Sequence, residues 1–552
     1  MRSPGPVVWG AAFALVVLVL IPLSFIVLQA IFPALGQGSL SAPFTRVADV
    51  LTEPGLLRMT RNTALLGLGV VAGSAVIAVP LGVLRALFRV PLAPLWDILL
   101  LVPFMIPPYI ATLGWIMTLQ PNGYLTQLTG LNAGPYLFSL WGVVFVMTLG
   151  AFPVVYFAVS RTVEAIGGRY ADVGRVFGAS PFTAFRRVTL PLALPGLMAS
   201  LLLVFAMTIE EYGTPAALGR QSGFEVLVTG IDTRVSDWPI DLPGAAILSL
   251  ILVMMSLGAF LVQLRILSRR SFETVGGKPQ AFHKRPLGVF AIPVVAVFAL
   301  VSLLAVGVPL FAIFATALSK TLSGGLAADN IGFGHFRAIA ADENGAFQAL
   351  LNSLGLGAAT ALITGLIGAA TSYAVVRTQF RGKGFLDALT VIPNAIPGIV
   401  VAVGIILAWN QPWLPVTPYN TPLILLMAYC CILLPYTVRY ANAAFRQVGD
   451  NLEAAARVAG ATPLTAFRRI LLPLVLPSLI SAMLLVFAVA TRELVASILL
   501  APVGMATISI FIWRQFDQGS VGLGMAMSAV TILITTTIPL AVTLMSGRRG
   551  LM

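Results

Sequence analysis

The chain has 552 residues, 58% of them apolar with glycine uncounted and only 10% charged, against about 25% charged in a soluble globular domain. No soluble core could hide that much apolar surface, so an aqueous multidomain enzyme is excluded first. The excess of 33 Lys and Arg over 20 Asp and Glu would point to nucleic acid in a soluble protein; here the loops of a membrane protein account for it, and no nucleic-acid partner is expected.

A membrane span needs about 20 apolar residues to cross about 30 Å of hydrocarbon. In chain order, apolar segments fall at 7–31, 63–84, 97–119, 138–160, 194–213, 244–266, 288–316, 351–376, 386–409, 421–443, 476–500 and 522–545. The first is longer than the apolar part of a signal peptide and reads as a retained span. With the N-terminus in the cytoplasm, 24 basic residues fall in inside segments. The other nine, Arg46, Arg58, Arg61, Arg220, Arg234, Lys320, Arg337, Arg492 and Arg514, fall outside or at span ends. This asymmetry puts both termini in the cytoplasm. The expected fold is an all-α integral membrane protein with twelve transmembrane helices in a lipid bilayer. Cys430 and Cys431 are adjacent within an apolar segment and read as small core residues, not as a disulfide or a metal pair.

The chain also repeats itself. At an offset of 290, Asn62 matches Asn352, Asp97 matches Asp387, and Pro103 and Pro107 match Pro393 and Pro397. At an offset of 282, Pro153 matches Pro435, Gly178 matches Gly460, Pro191 matches Pro473, Pro195 matches Pro477 and Glu211 matches Glu493. Each half is six spans in one orientation: a first domain over 1–268, a cytoplasmic linker over 269–287 and a second domain over 288–552. Such a parallel duplication implies a pseudo-two-fold axis along the membrane normal.

The strongest local pattern lies between the fourth and fifth spans of each half. It reads YADVGRVFGASPFTAFRRVTLPLALPGL from Tyr170 and LEAAARVAGATPLTAFRRILLPLVLPSL from Leu452. In both copies a helix of small residues runs into a turn set by glycine and proline, Gly178-Ala179 with Pro181 and Gly460-Ala461 with Pro463. A second short helix is predicted to follow, carrying Phe185, Arg186 and Arg187 or Phe467, Arg468 and Arg469, and to close at Leu190-Pro191 or Leu472-Pro473. Two short amphipathic helices standing out of the membrane make a knob for a partner's groove.

These loops resemble the cytoplasmic loop of bacterial ABC importer permeases, with its pattern of Glu-Ala-Ala, three residues, Gly, nine residues, Ile, one residue, Leu-Pro. From Gly460 the count reaches Ile470, Leu472 and Pro473; from Gly178 it reaches Val188, Leu190 and Pro191. The opening departs from the pattern: the first copy has Asp172-Val173-Gly174, and the second has Ala454-Ala455-Ala456 with Glu453 one place early. The resemblance covers essentially the whole chain and implies two tandem six-helix permease repeats in one polypeptide of the inner membrane. It further implies two copies of a separate cytoplasmic ATPase docked on the loops, with ATP and Mg bound there, and a periplasmic solute-binding protein. No cofactor is expected in this chain and no catalytic residue: none of its four lysines, Lys278, Lys284, Lys320 and Lys383, has the context of a Walker loop. Fused permeases of this length most resemble the ferric-iron type, with the thiamine, phosphonate and polyamine branches nearby. The stretch from Thr491 to Trp513 is similar to that of the iron and polyamine branches.

Charges at the membrane edge are functional candidates because burial is costly, about 2.5–3.5 kcal/mol on insertion scales. Glu210, Glu211, Arg492 and Glu493 fall at the outer ends of the fifth and eleventh spans. They either line the translocation path or form an interhelical ion pair such as Arg492 with Glu210 or Glu211. Asp97 and Asp387, at the inner starts of the third and ninth spans, are expected to be solvated helix N-caps. His283 and His335 have no ligand-spaced companions and are expected in solvent, so no metal site is predicted. Pro103, Pro107 and Pro108, with Pro393 and Pro397, interrupt the third and ninth spans as kinks or hinges. Trp9, Trp115, Trp238, Trp409 and Trp513 are expected at the interfaces. A secondary transporter would also have twelve spans in parallel halves. It would carry a Gly-x3-Asp-Arg-x-Gly-Arg-Arg type loop after the second span, which Arg85 to Pro94, RALFRVPLAP, does not match.

Overall fold

The computed structural model describes residues 5–176, 178, 180, 183, 185–268 and 284–549. Nine helices among these are long and apolar enough to cross a membrane, from Pro6–Ile31 to Phe467–Ala490. Two further segments pass the same test only as bent pairs, Ala93–Met105 with Pro108–Thr129 at 97° and Lys383–Ala395 with Gly398–Trp409 at 117°. The last segment expected from hydropathy is the helix Val521–Arg549, whose apolar part among the described residues, Val521–Thr537, is shorter than the spans above. The third and ninth segments are thus sharply broken rather than kinked. Each break falls where a residue precedes a proline and is driven out of the helical region: Ile106 (ψ 130°) before Pro107 and Ile396 (ψ 123°) before Pro397.

Other prolines are absorbed without a break. A five-residue π-turn lies just before Pro22 (Val16–Leu20), Pro191 (Phe185–Thr189), Pro309 (Leu303–Gly307) and Pro473 (Phe467–Leu471), and the α-helix resumes at once. Proline removes a donor and pushes on the preceding turn; widening that turn accommodates both effects. The predicted short helix carrying Phe-Arg-Arg therefore does not close at Leu-Pro. It runs directly into the fifth and eleventh spans, Leu190–Glu210 and Leu472–Ala490.

The chain divides into two compact units, one of Met1–Glu53, Ile231–Val253 and Phe333–Met552, the other of Pro54–Gly230 and Met254–Gly332. These units do not follow the sequence halves, because the first span of each half packs with spans of the other half. In the first unit, Val8, Leu15 and Val19 share a core with Leu386, Val401, Ile405, Leu425 and Val486. A Cβ on Gly404 would stand 2.8 Å from the carbonyl oxygen of Pro22. In the second unit, a Cβ on Gly114 would stand 2.9 Å from the carbonyl oxygen of Pro309. Gly114 and Gly404 match at the offset of 290, so each half makes the same close helix contact with an exchanged partner.

Matching side chains also tie loops at corresponding places in the two units. Asn62 Nδ2 donates to the Glu225 carbonyl at 2.9 Å while Thr63 Oγ1 accepts from the Leu227 amide at 2.9 Å. In the other unit Asn352 Nδ2 donates to the Ala506 carbonyl at 2.9 Å and Ser353 Oγ accepts from the Ile508 amide at 2.8 Å.

Candidate functional site

The first loop leaves the membrane on one continuous helix, Leu140–Val176, which includes Asp172 and Gly174. Gly178 turns the chain with φ +83°, a value that favours glycine. The Thr183 amide then donates to Ser180 Oγ at 3.2 Å, an N-cap that starts the next helix. The second loop differs in its approach: Pro422–Gln447 ends, and Asp450–Val458, which holds Glu453, Ala455 and Ala456, begins after two residues. Gly460 then turns at φ +84°, with the Ala461 amide bonded to the Ala456 carbonyl at 3.0 Å, and the Thr465 amide donates to Thr462 Oγ1 at 3.3 Å. The Ser/Thr-x-x-Thr cap, visible in both quoted sequences, is the loop geometry that pattern reading passes over. Ala179 and Pro181 lie outside the described residues.

Exposure separates the predicted loop residues. Arg186, Arg187, Arg468 and Arg469 are exposed, as are Gly178, Pro191, Gly460 and Pro473, while Phe185, Leu190 and Leu472 are half-buried. Phe467, also half-buried, packs within its own half, edge-on to Tyr373 with ring centres 5.2 Å apart, beside buried Leu471. The loop thus presents a paired cationic rim on a base anchored by an aromatic contact.

Glu211 and Glu493 do the same job in the two units. Hydropathy reads 476–500 as one span, yet the helix stops at Ala490 and restarts as Val495–Leu500. Glu493 Oε1 accepts from the amides of Val495 at 3.1 Å and Ala496 at 3.2 Å. Glu211, at the end of the fifth span, accepts from the Thr214 amide at 3.0 Å. Each carboxylate satisfies amides left open at a helix restart. Glu210 and Arg492 stand beside them, both half-buried.

Asp97 is not the solvated cap expected of it. It is the fifth residue of Ala93–Met105, and Arg85 grips it with Nη2 at 2.6 Å and Nε at 3.1 Å while Tyr156 donates its hydroxyl at 2.7 Å. Asp387 likewise sits inside a helix, Lys383–Val391, whose N-cap is Gly382. His335 is half-buried, its ring where a Cβ on Gly522 would fall. Trp115 is buried against Phe145 rather than placed at an interface. His283 lies outside the described residues. Among the described residues no three His, Cys, Asp or Glu side chains come together as a metal-binding group.

A further ionic group ties the short helix Thr45–Thr52 to the start of the sixth span. Asp241 accepts from Arg46 at 2.7 Å and from Arg234 at 3.4 Å, and caps the span through the Gly244 amide at 2.9 Å; Arg234 also bonds Glu53. The hydrogen bond to Asp241 holds Arg46 above its ordinary value against the opposing effect of burial. Burial pushes Asp241 up, but the Arg46 bond, the Gly244 amide and the charges of Arg46 and Arg234 outweigh it, leaving the carboxyl below its ordinary value.

Duplicated six-span halves, broken third segments and a paired loop after each fourth span define a membrane permease. The family described as the binding-protein-dependent transport system inner membrane component matches residues 78–271 and 361–549, and the chain belongs to it. It is 24% identical over 542 residues to the ferric transport system permease protein FbpB of Actinobacillus pleuropneumoniae, covering 96% of this chain and 77% of that protein. It is 24% identical to the Fe(3+)-transport system permease protein FbpB 2 of Haemophilus influenzae, over 91% of each. The trehalose transport system permease protein SugB of Mycobacterium tuberculosis is 28% identical over 41% of this chain and 85% of that protein.

Proposed function

We propose that this chain is the fused transmembrane subunit of an ABC importer that moves ferric iron, delivered by a periplasmic binding protein, across the inner membrane. The observation that carries the substrate is coverage: the ferric permeases above align with both repeats, whereas the trehalose permease aligns with 41% of the chain. In this reading both termini are cytoplasmic, and two copies of a separate ATPase, holding ATP and Mg, seat on the loops at 171–190 and 453–472. The exposed pairs Arg186-Arg187 and Arg468-Arg469 supply charge for that contact. The caps at Ser180 and Thr462 hold each loop rigid, so that ATPase closure moves the fifth and eleventh spans, which continue from the loops without a break. No coupling loop of the secondary-transporter type is present after the second span.

Uptake of labelled ferric iron by cells lacking this gene, with and without the gene restored, tests the cargo, beside phosphonate, thiamine and putrescine. Restored iron uptake alone is expected; restored uptake of another solute overturns iron and keeps the mechanism. Deleting 171–190 and 453–472 is expected to leave the protein inserted but abolish co-purification of the ATPase, and undiminished co-purification would sink the docking assignment.

A further inference from the structure

At the end of the second span, five elements of the second compact unit meet in a polar knot. Arg85 holds Asp97 with Nη2 at 2.6 Å and Nε at 3.1 Å, and the fully buried Tyr156 donates to Asp97 at 2.7 Å. The Arg85 carbonyl accepts from Lys284 Nζ at 3.1 Å, and Lys284 stands 3.2 Å from Glu164 Oε1. Phe88 and Arg89 pair in parallel with Arg285 and Pro286, stitching the end of the linker to the end of the second span. Phe298 of the seventh span packs edge-on to Tyr156, with ring centres 6.4 Å apart.

Two of these elements lead away from the knot, one to the first loop and one to the bent third segment. Tyr156 and Glu164 lie on the unbroken helix Leu140–Val176, which reaches Asp172 and Gly174 of the first loop. From Tyr156 to Asp172 is about 24 Å at 1.5 Å per residue. Asp97 lies on Ala93–Met105, the helix that bends by 97° into Pro108–Thr129.

Among the described residues, the second half lacks this knot. Its Asp387 remains, but Val375 stands in the place of Arg85 and Val438 in that of Tyr156, both buried in an apolar core, and Arg446 replaces Glu164; the cation at this level, Arg377, instead donates to the Phe445 carbonyl at 2.8 Å and to that of Val448, tying the eighth span to the end of the tenth. Its approach to the loop is also broken, at Val448 and Gly449.

We propose that Arg85, Asp97 and Tyr156 are positioning residues that carry movement of the first loop to the bent third segment, and that the two halves are therefore driven unequally. The proposal rests on the reading of 171–190 as an ATPase dock. A helix carrying a charge-assisted hydrogen bond to its neighbour transmits a displacement in a fixed direction; in the second half that bond joins the end of the tenth span to the eighth through Arg377, where in the first it joins the fourth span to the bent third segment.

The test uses the full complex of this chain with its ATPase and binding protein in liposomes, with ferric iron as the probe, measuring iron moved per ATP hydrolysed. Wild-type assembly and transport check the underlying reading; the ratio in the variants checks the proposal. Asp97→Asn and Tyr156→Phe are expected to co-purify with the ATPase and hydrolyse ATP at no less than the wild-type rate, with the ratio down about tenfold, the weight of one charge-assisted hydrogen bond. Asp387→Asn is expected to leave it unchanged, and Arg85→Asp combined with Asp97→Arg to recover part of the loss. Tyr156→Phe removes one hydroxyl and keeps the ring, so it reports even if the charge variants do not fold. A ratio within twofold of wild type for Tyr156→Phe, or an equal fall for Asp387→Asn, would overturn the proposal.

Discussion

Replacing Gly404 or Gly114 with alanine tests the exchanged packing of the first spans. At Gly404 the added Cβ would stand 2.8 Å from the Pro22 carbonyl oxygen and 2.9 Å from Ile26 Cδ1; at Gly114 it would stand 2.9 Å from the Pro309 oxygen and 3.1 Å from its Cα. Ordinary contact begins near 3.4 Å, so the two helices must part by about half an ångström, an overpacking cost of roughly 1–3 kcal/mol. Alanine favours a helix over glycine by about 1 kcal/mol wherever nothing opposes it. Gly355 and Gly150, within long helices and with open space where a methyl would be added, supply that control. The full chain in mixed micelles, unfolded by SDS and followed by tryptophan fluorescence, should place Gly404→Ala and Gly114→Ala below Gly355→Ala and Gly150→Ala by the full clash. That is roughly a 5- to 150-fold difference in the unfolding equilibrium, at 1.4 kcal/mol per factor of ten. If Gly404→Ala is as stable as Gly355→Ala, the first span does not pack on Gly398–Trp409 and the exchange is refuted.

Glu211 and Glu493 separate a cap from a path charge. Glu→Gln keeps an acceptor oxygen while Glu→Ala loses it, at about 0.5–2 kcal/mol; uptake and stability should survive Gln better than Ala at both positions, and equal loss of uptake with Gln would make the charge itself the requirement. The Asp241 group predicts a pH slope. With the folded pKa below the ordinary 3.8, its contribution is complete above that value and is lost as pH falls through the lower folded one, so stability should decline there and Asp241→Asn should flatten the decline. An unchanged slope in the variant would assign it to other groups.

Much of this architecture is legible in the sequence because hydropathy and the period-wide repeat are both long signals. The breaks at Ile106 and Ile396 are foreshadowed by prolines, and the turns at Gly178 and Gly460 by glycine. The exchange is not, since a span buried against one apolar helix has the same composition as one buried against another. Asp97 reads as a cap in the sequence because its partners are 12 and 59 residues away. The capping role of Glu493 is hidden for a different reason: Val495–Leu500 is as apolar as the span before it, so hydropathy runs across the break.

The exchanged first spans also bear on biogenesis. The ribosome makes Pro22 382 residues ahead of Gly404, which at 5–20 residues per second is roughly 20–75 s. For that interval the first helix sits in lipid without its mate, and stop-and-wait insertion is built into the order of synthesis. A gene cut at the linker would yield two half-chains, each holding a first span that belongs to the other's unit, so neither half-chain is expected to mature alone.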